Sequence, residues 1–123
     1  MPTDRDRQLA EHMLTYARAG LGIAAGESRA SLEDDVRLQF SLCYALQVIG
    51  EAAAHLSKDC RARLATIPWR RVVGMRHRMV HGYENVDLSV VWDTVHDDLP
   101  ILIRELERFL AREPGNGAPQ EQA

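Results

Sequence analysis

The chain has 123 residues, of which 46% are hydrophobic and 27% charged, so it fits one globular domain with a single core rather than a disordered chain. No apolar run approaches the ~18 residues of a membrane span, and the N-terminal residues lack the apolar core of a secretion signal. The two cysteines, Cys43 and Cys60, do not form a CxxC motif. They exclude a disulfide scaffold, and we expect a cytoplasmic protein.

The formal net charge of −3 conceals a basic segment. From Cys60 to Tyr83 the chain has six of its 15 basic residues and no acid, which leaves nine basic residues against 18 acidic ones elsewhere. The six are Arg61, Arg63, Arg70, Arg71, Arg76 and Arg78. Such a segment is typical either of a surface that binds a polyanion or of a solvated helix whose arginines pair with the chain's own acids.

Hydrophobic spacing predicts helices along nearly the whole chain. The first begins at a cap formed by Asp4 or Asp6 and ends near Ala19. Three glycines mark the connection that follows: Gly20, Gly22 and Gly26. Ser31 is a cap-like start for a central helix from Leu32 to Leu56, whose wide apolar stripe predicts two neighbouring helices.

The second half of the chain continues the helical pattern. A short helix is predicted from Asp59 to Ala65, and Pro68 suits the first turn of a helix from Trp69 to His81. Gly82 is a candidate left-handed cap at its end.

The last helix is capped by Asn85 or Asp87 and carries apolar residues at steps of three and four as far as Phe109. Pro100 lies inside it and predicts a kink. Residues 113–123 have little to bury and are predicted to be disordered. The fold class is therefore an all-α bundle of four long helices and one short helix, spanning residues 1–112.

Arg76 has an unusual position for an arginine. On a helical wheel it falls in the middle of an apolar face formed by Trp69, Val72, Val73 and Val80, whereas Arg71 and Arg78 fall on the opposite, solvent side. An arginine on an apolar face requires an anionic partner. Two partners fit: Glu51 of the central helix, in an internal salt bridge, or a phosphate group of a ligand.

Two histidines follow Arg76 on the same helix. His81 is either a favourable partner of the helix dipole or a general acid–base, since imidazole titrates near neutral pH. His77 and His81 have the i, i+4 spacing of a metal pair, but no third ligand accompanies them, so we expect no metal. We expect no cofactor, and no P-loop motif is present. His12, His55 and His96 receive no role.

The sequence around Arg76 resembles a known family. Gly-Met-Arg-His-Arg-Met-Val-His-Gly-Tyr, residues 74–83, is similar to the Arg-x4-His-x-Tyr signature of the HepT-like family of HEPN ribonuclease domains. Further similarities are Ile-Gly-Glu-Ala at 49–52, Ile-Pro-Trp at 67–69, Val-Asp-Leu at 86–88 with Val-Trp at 91–92, and Asp-Leu-Pro at 98–100. The similarity is much more specific than Arg-x4-His alone, which Arg7 and His12 also match.

The resemblance implies a HEPN-type bundle that forms a two-fold homodimer and acts as the toxin of a toxin–antitoxin pair. Its activity would be metal-independent RNA cleavage, with Arg76 and His81 catalytic. Its partner would be a minimal nucleotidyltransferase antitoxin that adds AMP to Tyr83. The family often has asparagine after the arginine, and His77 in its place puts the cleavage rate in doubt.

Physical reasoning fits that chemistry. His81 can take the proton of a 2′-hydroxyl and Arg76 can stabilise the charged phosphorane, and a second His81 across a dimer can protonate the leaving group. The product would be a 2′,3′-cyclic phosphate, and the supporting or RNA-contacting residues would be His77, Arg70, Arg78 and Glu51. A catalytically silent helical module that binds a nucleotidyltransferase, or presents its substrate, fits the same helices.

Overall fold

The computed structural model describes residues 2–81 and 86–112, with the side chains of residues 77–81 left out of the description. Within these ranges the chain is helical and has no strand. No helix in the described ranges is long and apolar enough to cross a membrane. The Gly82 cap and the disordered tail at 113–123 were predicted for positions outside the described residues.

Seven α-helices and one π-helical segment follow one another along the described chain. They are α1 (Asp4–Ala24), α2 (Arg29–Asp34), α3 (Val36–Ala54), α4 (Lys58–Arg63), α5 (Trp69–His81), α6 (Leu88–Asp93), the π segment (Thr94–Asp98) and α7 (Leu99–Arg112). Since α6, the π segment and α7 are continuous, four long helical segments form the bundle, and the predicted all-α class is confirmed. The structure adds a second short helix, α2.

The first helix is longer than predicted and begins differently. Thr3, rather than Asp4 or Asp6, is the N-cap, and its side chain and that of Asp6 each accept a hydrogen bond from the other's backbone N–H. The predicted end at Ala19 is wrong, because Gly20 lies inside α1 at a close approach to α7. A Cβ at Gly20 would lie 3.3 Å from Cδ1 of Leu99, so glycine serves packing here rather than a turn. The turn comes at Gly26, where φ is +81°.

The predicted central helix from Leu32 to Leu56 is in fact two helices. Ser28 caps α2 by accepting a hydrogen bond from the N–H of Ser31. The backbone then becomes extended at Asp35, whose carboxylate accepts hydrogen bonds from the N–H groups of Arg37 and Leu38. An aspartate that caps the next helix breaks the run, because its side chain satisfies donors that a continuous helix would have bonded internally.

The irregularity predicted at Pro100 lies just before it. The π segment spans Thr94–Asp98, and Pro100 lies in the first turn of α7. Proline lacks an N–H and crowds the carbonyl one turn earlier. A wider π-helical turn next to it relieves the crowding and lets the helix continue without a break. Asp87 caps α6 through the N–H of Ser89, one of the two caps predicted.

The core forms where α1, α3, α5 and the α6–α7 segment meet. Its largest fully buried side chains include Met13, Ile49, Met75, Leu102 and Phe109. The indole of Trp69 donates to the carbonyl oxygens of Arg61 and Leu64 at 3.0 and 2.9 Å. These bonds attach the start of α5 to the end of α4, and thereby fix the position of the helix that carries Arg76.

Candidate functional site

The central helix α3 and the basic helix α5 cross in close contact at Gly50. A Cβ at this position would lie 2.4 Å from the backbone nitrogen of Arg76 and 2.8 Å from its Cβ. Those distances are far below van der Waals contact, so only glycine permits the two backbones to approach this closely. The contact sets the position of Arg76 relative to α3.

The next residue of α3 orients the Arg76 side chain. Oε1 of Glu51 lies 2.8 Å from Nε of Arg76, so the ion pair predicted from the sequence is present. Both side chains are about half exposed, at 47% for Arg76 and 52% for Glu51. Glu51 contacts Nε. The two terminal nitrogens of a guanidinium form a donor pair that suits a phosphate.

The predicted placement of Arg76 in the middle of an apolar face is wrong. The buried face of α5 is formed by Val72 and Met75, with Trp69 and Val73 partly buried beside them. Arg76 lies at the edge of that face, where its backbone meets Gly50 and its side chain emerges at the surface. The close helix crossing explains how a charged residue can follow a buried methionine without being buried itself.

Arg71 has a partner that the sequence did not suggest. Its side chain is exposed, as predicted, but its guanidinium contacts the carboxylate of Asp98 at 2.5 Å. The Asp98 side chain is only 6% exposed, so the pair links α5 to the π segment. Among the described arginines of the basic segment, Arg71 therefore supports the interpretation of pairing with the chain's own acids.

The remaining predicted site residues divide into two groups. Arg70 is exposed in the first turn of α5, six residues and about 9 Å along the helix axis from Arg76. His77, Arg78 and His81 belong to α5, but their side chains lie outside the described residues, as does the whole of Tyr83. The structure thus brings Arg76 and Glu51 together and leaves the other roles as predictions.

Two residues without a predicted role lie on the same side of α3 as Glu51. Nδ1 of His55 is 2.9 Å from the carbonyl oxygen of Glu51 and 3.9 Å from its Oε2. The i, i+4 spacing of Glu51 and His55 in the sequence could have predicted this contact. Tyr44, on the same side of α3, is 58% exposed and contacts Tyr16 of α1 edge-on at a ring distance of 6.0 Å. Only tertiary structure reveals this second contact.

The described residues form no candidate metal site. No group of three or more histidine, cysteine, aspartate or glutamate residues in that part of the chain is arranged to bind a metal ion. The side chains of His77 and His81 lie outside the described residues.

The protein is a small all-α domain with a candidate phosphate-binding site. In that site the backbone of Arg76 packs against Gly50 and its side chain pairs with Glu51. The family model described as "Ribonuclease HepT-like" matches residues 13–109. The chain therefore belongs to the HepT-like ribonuclease family.

Individual relatives agree with the family match. The chain is 38% identical to a protein of Thermococcus cleftensis named "Probable ribonuclease HepT", over 61% of this chain and 68% of the relative. It is 28% identical to a protein of Caldanaerobacter subterraneus subsp. tengcongensis named "Putative RNase", over 87% of this chain and 96% of the relative. No solved structure gives a significant match.

Proposed function

We propose that this protein is the toxin of a toxin–antitoxin pair and acts as a metal-independent endoribonuclease. The observation that carries the proposal is the geometry of Arg76, whose backbone contacts Gly50 and whose Nε is bound by Glu51, in a chain of the HepT-like ribonuclease family. A guanidinium fixed in this way at the surface is preorganised to stabilise charge on a phosphate.

The reaction needs no nucleophile from the protein. His81 takes the proton of the RNA 2′-hydroxyl, whose oxygen attacks the adjacent phosphorus. Arg76 stabilises the charge that develops on the phosphorane oxygens. The bond from phosphorus to the 5′-oxygen breaks, that oxygen takes a proton from a second imidazole, and a 2′,3′-cyclic phosphate remains.

The second imidazole has two candidate sources. A homodimer with a two-fold axis near Arg76 would contribute the partner's copy of His81 to the same cleft. Within one protomer, His77 is the alternative. The two sources predict different kinetics, because mixing inactive His81→Ala chains with wild-type chains lowers activity per wild-type chain only where the site is shared.

Neutralisation is proposed to occur by modification of Tyr83. A cognate nucleotidyltransferase would transfer AMP from ATP to the phenolic oxygen and release pyrophosphate. The added phosphate would lie two residues from His81 and compete with RNA for Arg76. Incubation with that enzyme and ATP should raise the mass of the wild type by one AMP and leave Tyr83→Phe unchanged, and an equal gain in both would remove Tyr83 from the proposal.

Cleavage by purified, unmodified protein in excess EDTA tests the activity itself. We expect the wild type to cut single-stranded RNA and leave cyclic phosphate ends, and His81→Ala to be inactive. A wild-type protein that cuts nothing, although its intact mass excludes prior addition of AMP, would contradict the proposal and favour the catalytically silent binding module.

A further inference from the structure

A cleft of about 460 Å³ lies between α1 and α3, directly beside the Arg76–Glu51 pair. Its volume falls in the range of small-molecule binding sites. Helix α1 contributes Arg5 and His12 to the lining, and α3 contributes Tyr44, Gln47 and Glu51. The apolar residues of the lining are Leu9, Val48 and Ala52.

Tyr44 gives the cleft an accessible aromatic ring. Tyr44 is 58% exposed, yet its ring is supported edge-on by Tyr16, which in turn contacts His12 at a ring distance of 4.9 Å. The neighbouring Tyr44 phenol raises the pKa of Tyr16, chiefly by repulsion between the two groups when both are charged. A supported, solvent-facing ring is a suitable surface for stacking of an unpaired base.

The polar groups around the ring match the other parts of a nucleotide. The Gln47 side chain can donate and accept hydrogen bonds at the edge of a base. The guanidinium of Arg5 favours an anion. Glu51 opposes it, but its carboxylate is already bound by Arg76.

The cleft and Arg76 share Glu51 as a common wall, so a phosphate bound by Arg76 would have its nucleoside next to the cleft. We infer that the cleft binds one unstacked nucleotide of the substrate RNA, with its base against Tyr44 and its phosphate at Arg76. This inference rests on the proposed ribonuclease function and adds to it a binding site for one base, which only single-stranded RNA can occupy, because bases in a duplex are not free to enter.

The test uses a fluorescein-labelled single-stranded oligonucleotide of 2′-O-methyl RNA, which lacks the nucleophile and cannot be cleaved. Its affinity for the full chain is measured by fluorescence anisotropy. We expect Tyr44→Ala to raise Kd about tenfold. Tyr44→Phe, which retains the ring, should stay within about twofold of the wild type. Because Tyr44 is exposed, both variants are expected to fold.

Phe40 provides the matched control. It lies one turn earlier on α3, is 70% exposed and does not line the cleft. Phe40→Ala should leave Kd within about twofold. Loss of affinity of the same size in Phe40→Ala, or no loss in Tyr44→Ala, would overturn the inference.

The outcomes separate this inference from the proposed function. A wild type that binds the oligonucleotide through Tyr44 but does not cut unmodified RNA would support the cleft and contradict the ribonuclease. A wild type that cuts RNA, with rates and Kd unchanged in Tyr44→Ala, would support the ribonuclease and contradict the cleft.

Discussion

Gly50 and Arg76 meet backbone to backbone, with a Cβ at position 50 placed 2.4 Å from the Arg76 nitrogen. A helical glycine ordinarily costs stability relative to alanine. Here it permits the crossing that brings Glu51 to Arg76. The close packing of two helices and the position of the proposed phosphate-binding arginine thus depend on the same residue.

Gly50→Ala should therefore damage both stability and activity. We expect a loss of about 1–3 kcal/mol in the free energy of unfolding, because the extra methyl group must push α5 away from α3. RNA cleavage should fall further than the folded fraction does, because the displaced Arg76 no longer meets Glu51. Urea unfolding and cleavage rates measured on the same samples test this.

Gly74→Ala is the matched control for Gly50→Ala. Gly74 lies on α5, and outside the backbone of its own helix no atom of the described residues is within 4 Å of its ideal Cβ. Alanine there should preserve activity and stabilise the helix by up to about 1 kcal/mol. Equal stabilities and equal cleavage rates of Gly50→Ala and Gly74→Ala would show that the helix crossing does not position Arg76.

Glu51 is expected to affect the rate of RNA cleavage rather than the stability of the fold. Both partners of the Arg76–Glu51 pair are about half exposed, so Glu51→Ala should change stability by less than about 1 kcal/mol. It should lower kcat with little change in KM, because Arg76 loses orientation and not its charge. Glu51→Gln should recover part of kcat, since the amide oxygen can still accept from Nε.

The Arg18–Glu107 pair offers a control for Glu51. It is also an exposed ion pair, with side chains 57% and 48% exposed, and it joins α1 to α7 away from Arg76. Glu107→Ala should leave kcat unchanged. If the kcat of Glu51→Ala equalled that of Glu107→Ala, Glu51 would have no positioning role.

Asp98 should contribute to stability through Arg71. Its buried carboxylate contacts the Arg71 guanidinium, so Asp98→Ala leaves Arg71 unpaired and removes a charge-assisted hydrogen bond worth about 1.5–3 kcal/mol. Thermal unfolding should show the loss, with Asp97→Ala, an exposed neighbour in the π segment, close to wild type. Similar melting of both variants would mean that the Arg71 contact adds nothing.

Asp6 should make folding sensitive to acid. Burial raises the pKa of Asp6, but hydrogen bonds from Ser57 and Thr3 outweigh burial and hold the pKa below its ordinary value. The stabilisation is therefore complete above the ordinary aspartate pKa of about 3.9 and is lost as pH falls through the lower, folded value. Asp6→Asn should be less stable than wild type at pH 6, and the difference should shrink below about pH 3.

Urea midpoints between pH 6 and pH 2 measure this dependence. Asp34→Asn, an exposed substitution at the end of α2, should follow the wild-type profile. A stability difference between wild type and Asp6→Asn that stays constant across this range would contradict the assignment.

The sequence predicted the parts of the fold that local chemistry determines. The bounds of α5 match, because Pro68 begins the helix and the apolar spacing continues to His81. The break at Asp35 was missed, because an aspartate within an amphipathic run looks like an ordinary solvent-facing residue until its side chain is seen to cap α3. Gly20 was misread for a similar reason, since its close approach to Leu99 is tertiary.

The candidate site was only partly predictable. Glu51 was one of the two partners expected for Arg76 from helical positions, and its contact with Nε confirms that pair. The cleft could not be predicted, because Arg5 and His12 come from α1 and Tyr44 from α3, and only the packing of these helices brings them together.

The most direct test of the central claim compares Arg76→Ala with Arg71→Ala in RNA cleavage under excess EDTA. Both variants remove one exposed arginine from α5, but only Arg76 is positioned by Gly50 and Glu51. Rates are compared per folded protein, because Arg71→Ala also breaks the contact with Asp98. We predict that the wild type and Arg71→Ala cut RNA and leave 2′,3′-cyclic phosphate ends, with Arg76→Ala at least about a hundredfold slower. Equal rates for the two variants, or a wild type that does not cut, would contradict the account.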